Sequence, residues 1–372
     1  MEINYVIPCL LGVESLIAGE LRDLQAQDVR AENGRVLFRG GKELLARVNL
    51  CSRFAERVQI LVGSFKAHSF EELFQGTKAL PWEAWIGSLD AFPVKGYSLG
   101  SDLFSVRDCQ AIIKKAVVER LKANYHLEWF EESGPVHQIQ FSIMKNEVSL
   151  LLDTTGAGLH KRGYRLEANG APIKETLAAA LCALSQLRPY HTLYDPLCGS
   201  GTILIEGAML CRNIAPGLQR NFSAERWDLL SAADWRQERE RARAQERETP
   251  DFAAFGSDLD EDSLENARQN AARAGVADCI QLARADVRQF APATERGTLI
   301  CNPPYGERLL DQQQAENLYR DMGRAFPKQR GWSYSIISPS KTFEQAFGRT
   351  ADKRRKLYNG MIQCNLFMYY KV

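Results

Sequence analysis

Asn302-Pro303-Pro304-Tyr305 closes a short apolar run, Leu299-Ile300-Cys301. Proline cannot donate to a strand ladder, so a strand must end there. An amide, two rigid prolines and an aromatic ring at a strand end read in one of two ways. They form a proline turn, or they clamp a flat ring that bears an amine. Upstream, HTLYDPLCGSGTILIEGAML reads as a strand at 191–195, a tight loop at 196–201 and a helix starting near Thr202. Gly199 and Gly201 let backbone N–H groups approach a ligand where a side chain would collide. The helix start offers free donors and a positive dipole end, which suit a carboxylate. The loop has neither the G-K-[ST] of a P-loop nor the third glycine of a dinucleotide fingerprint. Asp195, beside the loop, would repel phosphate and suits a cationic ligand. A bare strand–helix turn is the other reading.

Two more acids occupy comparable places. FAAFGSDLDEDSLENARQNAARAGV ends a strand at Asp258 and continues as a helix. An acid at the end of a second strand binds a ribose diol in nucleoside-binding α/β sheets. Asp260 and Asp262 fall in the first helical turn, where they read as caps. IQLARADVRQF ends a third strand at Asp286, whose carboxylate could accept from an adenine amine while the Val287 N–H serves the ring. Four successive strands thus end in D-x-x-x-G-x-G, D, D and N-P-P-Y. Ligands bind at the carboxyl ends of such strands. The four ends together are far more specific than any one of them.

These ends need elements to hold them. Residues 170–372 alternate long helices with short apolar strands, the pattern of a parallel sheet covered on both faces. Residues 1–65 read strand, helix, strand, helix, strand. Residues 66–155 carry a helix at SFEELFQGTKAL, a strand at AFPVKGYSL and a long helix at RDCQAIIKKAVVERLKANY. Two strands follow, joined at MKNEV. Between 212 and 250, WRQERERARAQERE is polar all round and is expected to be a solvated helix. HKRGYR, with Lys161, Arg162, Tyr164 and Arg165, interleaves bases and an aromatic. It suits a phosphate-and-stacking surface or a solvated linker. Glu175 and Thr176 open an Ala/Leu-rich helix just after Pro172.

At 372 residues, the chain fits two or three domains. Hydrophobic residues are 45% and charged residues 25%, the composition of a soluble globular protein. Nothing approaches an 18-residue apolar run, and the start, MEINYVIPCLLGVES, has no basic n-region. A cytoplasmic protein without a transmembrane helix or secretory signal is expected. Nine scattered cysteines include no C-x-x-C, so neither a disulfide framework nor a metal site is expected. A net charge of +1 neither advertises nor excludes nucleic-acid binding.

The four strand ends resemble the class I S-adenosylmethionine-dependent methyltransferases, and N-P-P-Y resembles those that methylate an exocyclic base amine. The resemblance implies that Asp195, Gly199, Gly201 and Thr202 hold the methionine part of S-adenosylmethionine. It gives Asp258 the ribose and Asp286 the adenine, and lets Glu175 and Thr176 close the methionine end. It implies that Asn302 and Pro303 accept from the target amine while Tyr305 stacks on the base. Such an amine has its lone pair delocalised into the ring, so positioning is the main task. RGYR, AP-KETLAAAL, DP-CGSGT, the AP and RW of the insertion, NPPYGER and KLYNG…CNLFMYYK are similar to one bacterial family. Its members join a ferredoxin-like segment and a THUMP domain to a guanine-N2 methyltransferase, and it includes the amino-terminal half of the large-subunit rRNA enzyme.

The expected architecture is therefore α/β. A C-terminal Rossmann-like class I methyltransferase domain (171–372), with a mostly parallel seven-stranded sheet, follows an N-terminal α+β region. That region comprises a ferredoxin-like segment (1–65) and a THUMP RNA-binding domain (66–155), joined to the catalytic domain by a linker (156–170). THUMP domains bind RNA, which makes Lys95, Arg107, Lys114 and Lys115 candidate contacts and RNA, most of all rRNA, the expected partner. Transfer to tRNA, DNA adenine-N6 methylation and an inactive assembly factor are the alternatives. Some relatives fuse two methyltransferases. This sequence ends after the first, so a second activity is expected to be absent or on another polypeptide.

Overall fold

The computed structural model describes residues 2–165, 173–249, 251–305, 312–326 and 330–370. The front half runs β1 (Ile3–Pro8), α1 (Glu14–Asp23), β2 (Gln27–Glu32), β3 (Arg35–Gly40), α2 (Lys42–Cys51), β4 (Gln59–Lys66), α3 (Phe70–Lys78), β5 (Val94–Leu99), α4 (Val106–Tyr125), β6 (Ile139–Met144) and β7 (Glu147–Asp153). The back half runs α5 (Glu175–Leu184), β8 (Thr192–Asp195), α6 (Thr202–Cys211), α7 (Ala232–Arg243), β9 (Ala253–Asp258), α8 (Glu261–Ala274), β10 (Ile280–Arg284), β11 (Gly297–Cys301), α9 (Gln312–Ala325), β12 (Trp332–Ser338), α10 (Phe343–Phe347), β13 (Lys353–Asn359) and β14 (Ile362–Tyr369).

The back half builds one seven-stranded sheet in the order β10-β9-β8-β11-β12-β14-β13. The first five strands are parallel, and β14 runs antiparallel to both β12 and β13. This is the mostly parallel, Rossmann-like sheet that the alternation of helices and apolar strands predicts. Every residue of β11 is buried, as a central parallel strand between two helical layers must be. An aromatic cluster of Tyr194, Tyr319, Phe326, Trp332 and Phe343 packs beside β8, β11 and β12.

The front half is also one seven-stranded sheet, in the order β2-β3-β1-β4-β7-β6-β5. Strand β4 pairs with β1 on one side and with β7 on the other, which joins the ferredoxin-like segment to the THUMP segment through a single ladder. The hairpin expected at MKNEV turns on Lys145 and Asn146, whose φ values of +52° and +66° suit a two-residue turn of the primed type. Sequence reasoning missed β2, QDVRAE. It is an edge strand with both faces largely in water, so it carries no apolar alternation to betray it.

One expectation fails in the insertion. WRQERERARAQERE does form a helix, α7, but it is not solvated all round. Trp235 and Ala242 are buried, and Glu238 receives two hydrogen bonds from Arg47 of α2, at 2.8 and 3.0 Å. Trp235, Glu238 and Ala242, at successive spacings of three and four residues, give the helix a narrow seam. The charges around that seam mask it in the sequence.

Candidate active site

The carboxyl ends of β10, β9, β8 and β11 share one edge of the sheet. Asp195 lies opposite Gly256, Arg284 opposite Asp258, and Tyr194 opposite Leu299. The register therefore brings Asp195, Asp258, Asp286 and Asn302 to one crevice.

Asp195 is 1% exposed and accepts the Leu197 N–H at 3.2 Å. Burial pushes its carboxyl up to about 8. The nearby charge of Asp258 adds to the rise, and the Leu197 N–H opposes it. A buried carboxylate with one backbone donor is poised to take a cation.

The loop beyond it turns through Gly199 at φ +50° and Gly201 at φ +78°. A side chain at Gly199 would project into open space, so the backbone there faces a cradle rather than protein. Gly201 is the N-cap of α6 and supplies no side chain, and the first helical turn holds no acid. The helix thus presents its orphan donors to that space. Thr202 is buried and accepts from the Arg165 guanidinium.

Asp258 closes the loop. One of its oxygens accepts the Gly199 N–H at 2.9 Å and the other the Asp260 N–H at 3.1 Å. Asp260 caps α8 through the Ser263 N–H, as its position in the sequence implies. Asp286 ends no strand: β10 stops at Arg284, and Asp286 caps a short 3₁₀ turn at Val287–Gln289. Both of its oxygens engage the Arg288 guanidinium, which holds the carboxyl below its usual range.

Asn302 follows β11. Its Oδ1 is shielded from solvent and has no hydrogen-bond partner among the described residues. Pro303 beside it is buried. The Tyr305 hydroxyl accepts from Asn359 Nδ2 at 2.7 Å and lies 3.7 Å from Cys364 Sγ, and burial raises its pKa. The rest of NPPYGER, 306–308, lies outside the described residues.

Behind the cradle, Glu175 is buried and pairs with Arg165 at 3.4 Å. Burial raises its carboxyl, and Arg165 counters. The Thr176 hydroxyl donates to Glu56 Oε1 at 2.8 Å, and Lys174 reaches the other oxygen of Glu56 at 2.9 Å. Glu56, from the front half, thus fixes the start of α5.

The HKRGYR surface is corrected. Arg162 and Tyr164 are each only 2% exposed, and both bond Glu206. Arg165 is committed to Glu175 and Thr202. Only Lys161 of the four stands exposed. Side chains buried on an internal carboxylate can neither stack on bases nor reach phosphates. The alternation of cation and aromatic reflects a buried ion-pair network inside the back half, with one hydrogen bond from Arg162 to the Arg53 carbonyl of the front half. Lys114, likewise, is held by Glu132 and by the Phe92 ring, 3.5 Å from its centroid.

Glu56, Asn359 and Cys364 were missed as site residues. Asn359 and Cys364 belong to KLYNG…CNLFMYYK, a stretch whose likeness to the family was visible although its contact with Tyr305 was not. Nothing local marks Glu56, because its partners lie more than 100 positions away in the chain.

Residues 162–367 match the family profile described as "RMKL-like, methyltransferase domain". The chain belongs to this RMKL-like methyltransferase family. Residues 4–59 match the RlmL ferredoxin-like domain and 67–153 the THUMP domain. This RMKL-like methyltransferase is 42% identical to YpsC of Bacillus subtilis (strain 168), named as a candidate RNA methyltransferase, over 97% of this chain and 94% of YpsC. It is 34% identical to the ribosomal RNA large subunit methyltransferase K/L of Psychromonas ingrahamii, over 99% of this chain. The match covers 50% of that protein, so this methyltransferase spans about half its length. The solved structure of SMU.472, described as a candidate methyltransferase complexed with SAH, superposes with a TM-score of 0.94 at 41% identity. It covers 100% of this chain and 98% of that one.

No helix among the described residues is long and apolar enough to cross a membrane. No three potential metal ligands gather among them either.

Proposed function

We propose that this methyltransferase uses S-adenosylmethionine to methylate the exocyclic N2 amine of a guanine in RNA, with large-subunit rRNA as the substrate. The observation that carries the reading is the shielded Asn302 Oδ1, an acceptor without a partner among the described residues, at the end of a central strand beside Pro303. A buried acceptor left unpaired costs about 1–3 kcal/mol. An amine donor entering the crevice recovers that cost.

The residues fit the cofactor. Asp195 suits an ammonium, the α6 N-terminus and Gly199 cradle suit a carboxylate, and Asp258 stands where a ribose diol would lie. Asp258 now holds the Gly199 N–H, so it serves the loop as well as a ribose. Asp286 is the least free of the set, and the Val287 N–H beside it remains the better donor to an adenine ring. When bound, the cofactor supplies an electrophilic sulfonium methyl. The chain's own work is positioning. Asn302 Oδ1 and the Pro303 carbonyl orient the two N–H bonds of the acceptor amine, and the Tyr305 ring, fixed at its hydroxyl, supports the base.

RNA is favoured by the THUMP match and by the names of the relatives. Guanine rests on the resemblance of the whole chain to the guanine-N2 family. The test is a gene-deletion strain complemented with wild-type or Asn302→Ala protein, its rRNA, tRNA and DNA digested and read by mass spectrometry. We expect N2-methylguanosine to vanish from large-subunit rRNA on deletion, to return with wild type, and to fall about 10²- to 10³-fold short with Asn302→Ala. Loss of a tRNA mark alone, or of N6-methyladenine from DNA, overturns the substrate. Full restoration by Asn302→Ala overturns the role of Asn302.

A further inference from the structure

The two-residue turn between β13 and β14 stands next to the acceptor side of the site. In antiparallel pairs, directly opposed side chains share a face, and alternate residues along a strand return to it. Asn359 opposes Ile362 and Leu357 opposes Cys364, so these four lie on one face of the hairpin. Asn359 and Cys364 both reach the Tyr305 hydroxyl, which shows where that face points. Ile362, on the same face one step nearer the tip, is 48% exposed, and Met361 at the turn is 97% exposed. Two large apolar side chains in water beside an aromatic that supports a base are out of place in a mere hairpin end.

The strand that carries the tip is cationic. Of Lys353, Arg354, Arg355 and Lys356, Arg354 is neutralised by Glu344, and Arg355 donates to the Gly12 carbonyl at 2.7 Å. Lys353 and Lys356 are exposed and have no carboxylate partner among the described residues; Lys353 shares the Asn359 face at the far end of the strand, and Lys356 points to the other face, so together they make both sides of the hairpin cationic. A polyanion is the occupant this charge suits. A base can be methylated on its exocyclic amine only after it leaves its stack, and proteins that open nucleic acids fill the gap with apolar wedges such as Met and Ile.

We infer that the β13–β14 tip is an acceptor-holding wedge in which Met361 and Ile362 pack against the RNA beside the target base, registered to Tyr305 by Asn359. This rests on the RNA reading above. Met361 and Ile362 touch the acceptor; Asn359 is a positioning residue.

The test measures methyl transfer from labelled S-adenosylmethionine to total RNA from the deletion strain, at rising RNA concentration. Wild type is compared with the double variant Met361→Ser, Ile362→Ser and with Asn359→Ala. We expect the RNA concentration at half-maximal rate to rise about tenfold in the double variant, the scale of one lost stacking contact. Asn359→Ala should raise it in the same direction. SAH affinity by calorimetry and the thermal midpoint should stay close to wild type for the double variant, since Met361 is almost fully exposed and Ile362 half exposed. An unchanged RNA dependence in the double variant overturns the wedge, and so does a matching loss of SAH affinity, which marks a structural role. No incorporation by wild type overturns the RNA reading itself, an outcome visible before any variant is compared.

Discussion

Asp195 concentrates the electrostatics of the site in one carboxyl. Its pKa is pushed up to about 8 by burial, so in the unliganded protein it is protonated at neutral pH. A ligand ammonium favours the anion, so binding expels a proton. The sign follows directly: affinity rises with pH and levels off above about 8. Calorimetric titration of SAH should show affinity gaining roughly tenfold per pH unit on the way up, because one unit of pKa is worth about 1.4 kcal/mol. Asp195→Asn should weaken binding and flatten the slope. A wild-type affinity that does not change between pH 6 and 8 refutes an ammonium contact at this carboxyl. The residue types Asp, Gly, Asp and Asn were legible in the sequence because each follows a short apolar run. Asp286 was legible as an acid but not as an ion pair, since Arg288 two positions on looks like any surface arginine.

At the scale of elements, the start of α5 is held by a residue from the other half of the molecule. Burial alone would raise the Glu56 carboxyl, but the hydrogen bonds from Lys174 and Thr176 and the Lys174 charge, with the His160 ring 3.7 Å away, outweigh it and bring the pKa down to about 2. A depressed carboxyl stabilises the fold above its ordinary value, and that contribution is lost as pH falls from the usual carboxylate range toward 2. The shift caps the contribution at roughly 3 kcal/mol. Glu56→Gln should therefore lower the thermal midpoint at pH 7 by several degrees and narrow its gap from wild type as pH falls below 4. A gap constant from pH 7 to pH 3 refutes the assignment. Because α5 also carries Glu175, whose partner Arg165 donates to Thr202 at the glycine loop, the same variant should weaken SAH binding several-fold. The existence of α5 and α6 was readable from composition and the glycine loop. The tie between α5 and Glu56 was not, because it is tertiary.

Across the whole molecule, the two sheets share one hydrophobic cluster, which runs from Tyr5 and Phe38 through Leu50 and Phe54 to Leu177, Leu204 and Leu366. Polar contacts reinforce it. Arg53 donates to the Ile214 carbonyl at 2.8 Å, Trp227 to the Val136 carbonyl at 3.1 Å, and Arg162 pairs with Glu206 where both side chains are nearly inaccessible. Removing one partner of such a pair strands a buried charge at a cost of about 3–5 kcal/mol. Scanning calorimetry should accordingly give one cooperative transition for the full chain, and Arg162→Ala should lower it without splitting it. Two separated transitions in the wild type refute the shared core. The sequence announced three regions by their patterns of strands and helices, but it did not announce their fusion. The residues that weld them, Arg53, Arg162 and Trp227, are of types that read as surface or site.

The ladder through β4 has a bearing on how such enzymes can be recombined. Residues 60–66 fall between the stretches matched by the ferredoxin-like and THUMP profiles, yet they form the strand that pairs with β1 on one side and β7 on the other. A chimera cut at either profile boundary would leave one module with an open row of amides and carbonyls, an edge prone to pair with another chain. A graft of the front end should therefore carry it as a single piece, with β4 kept between both of its partner strands.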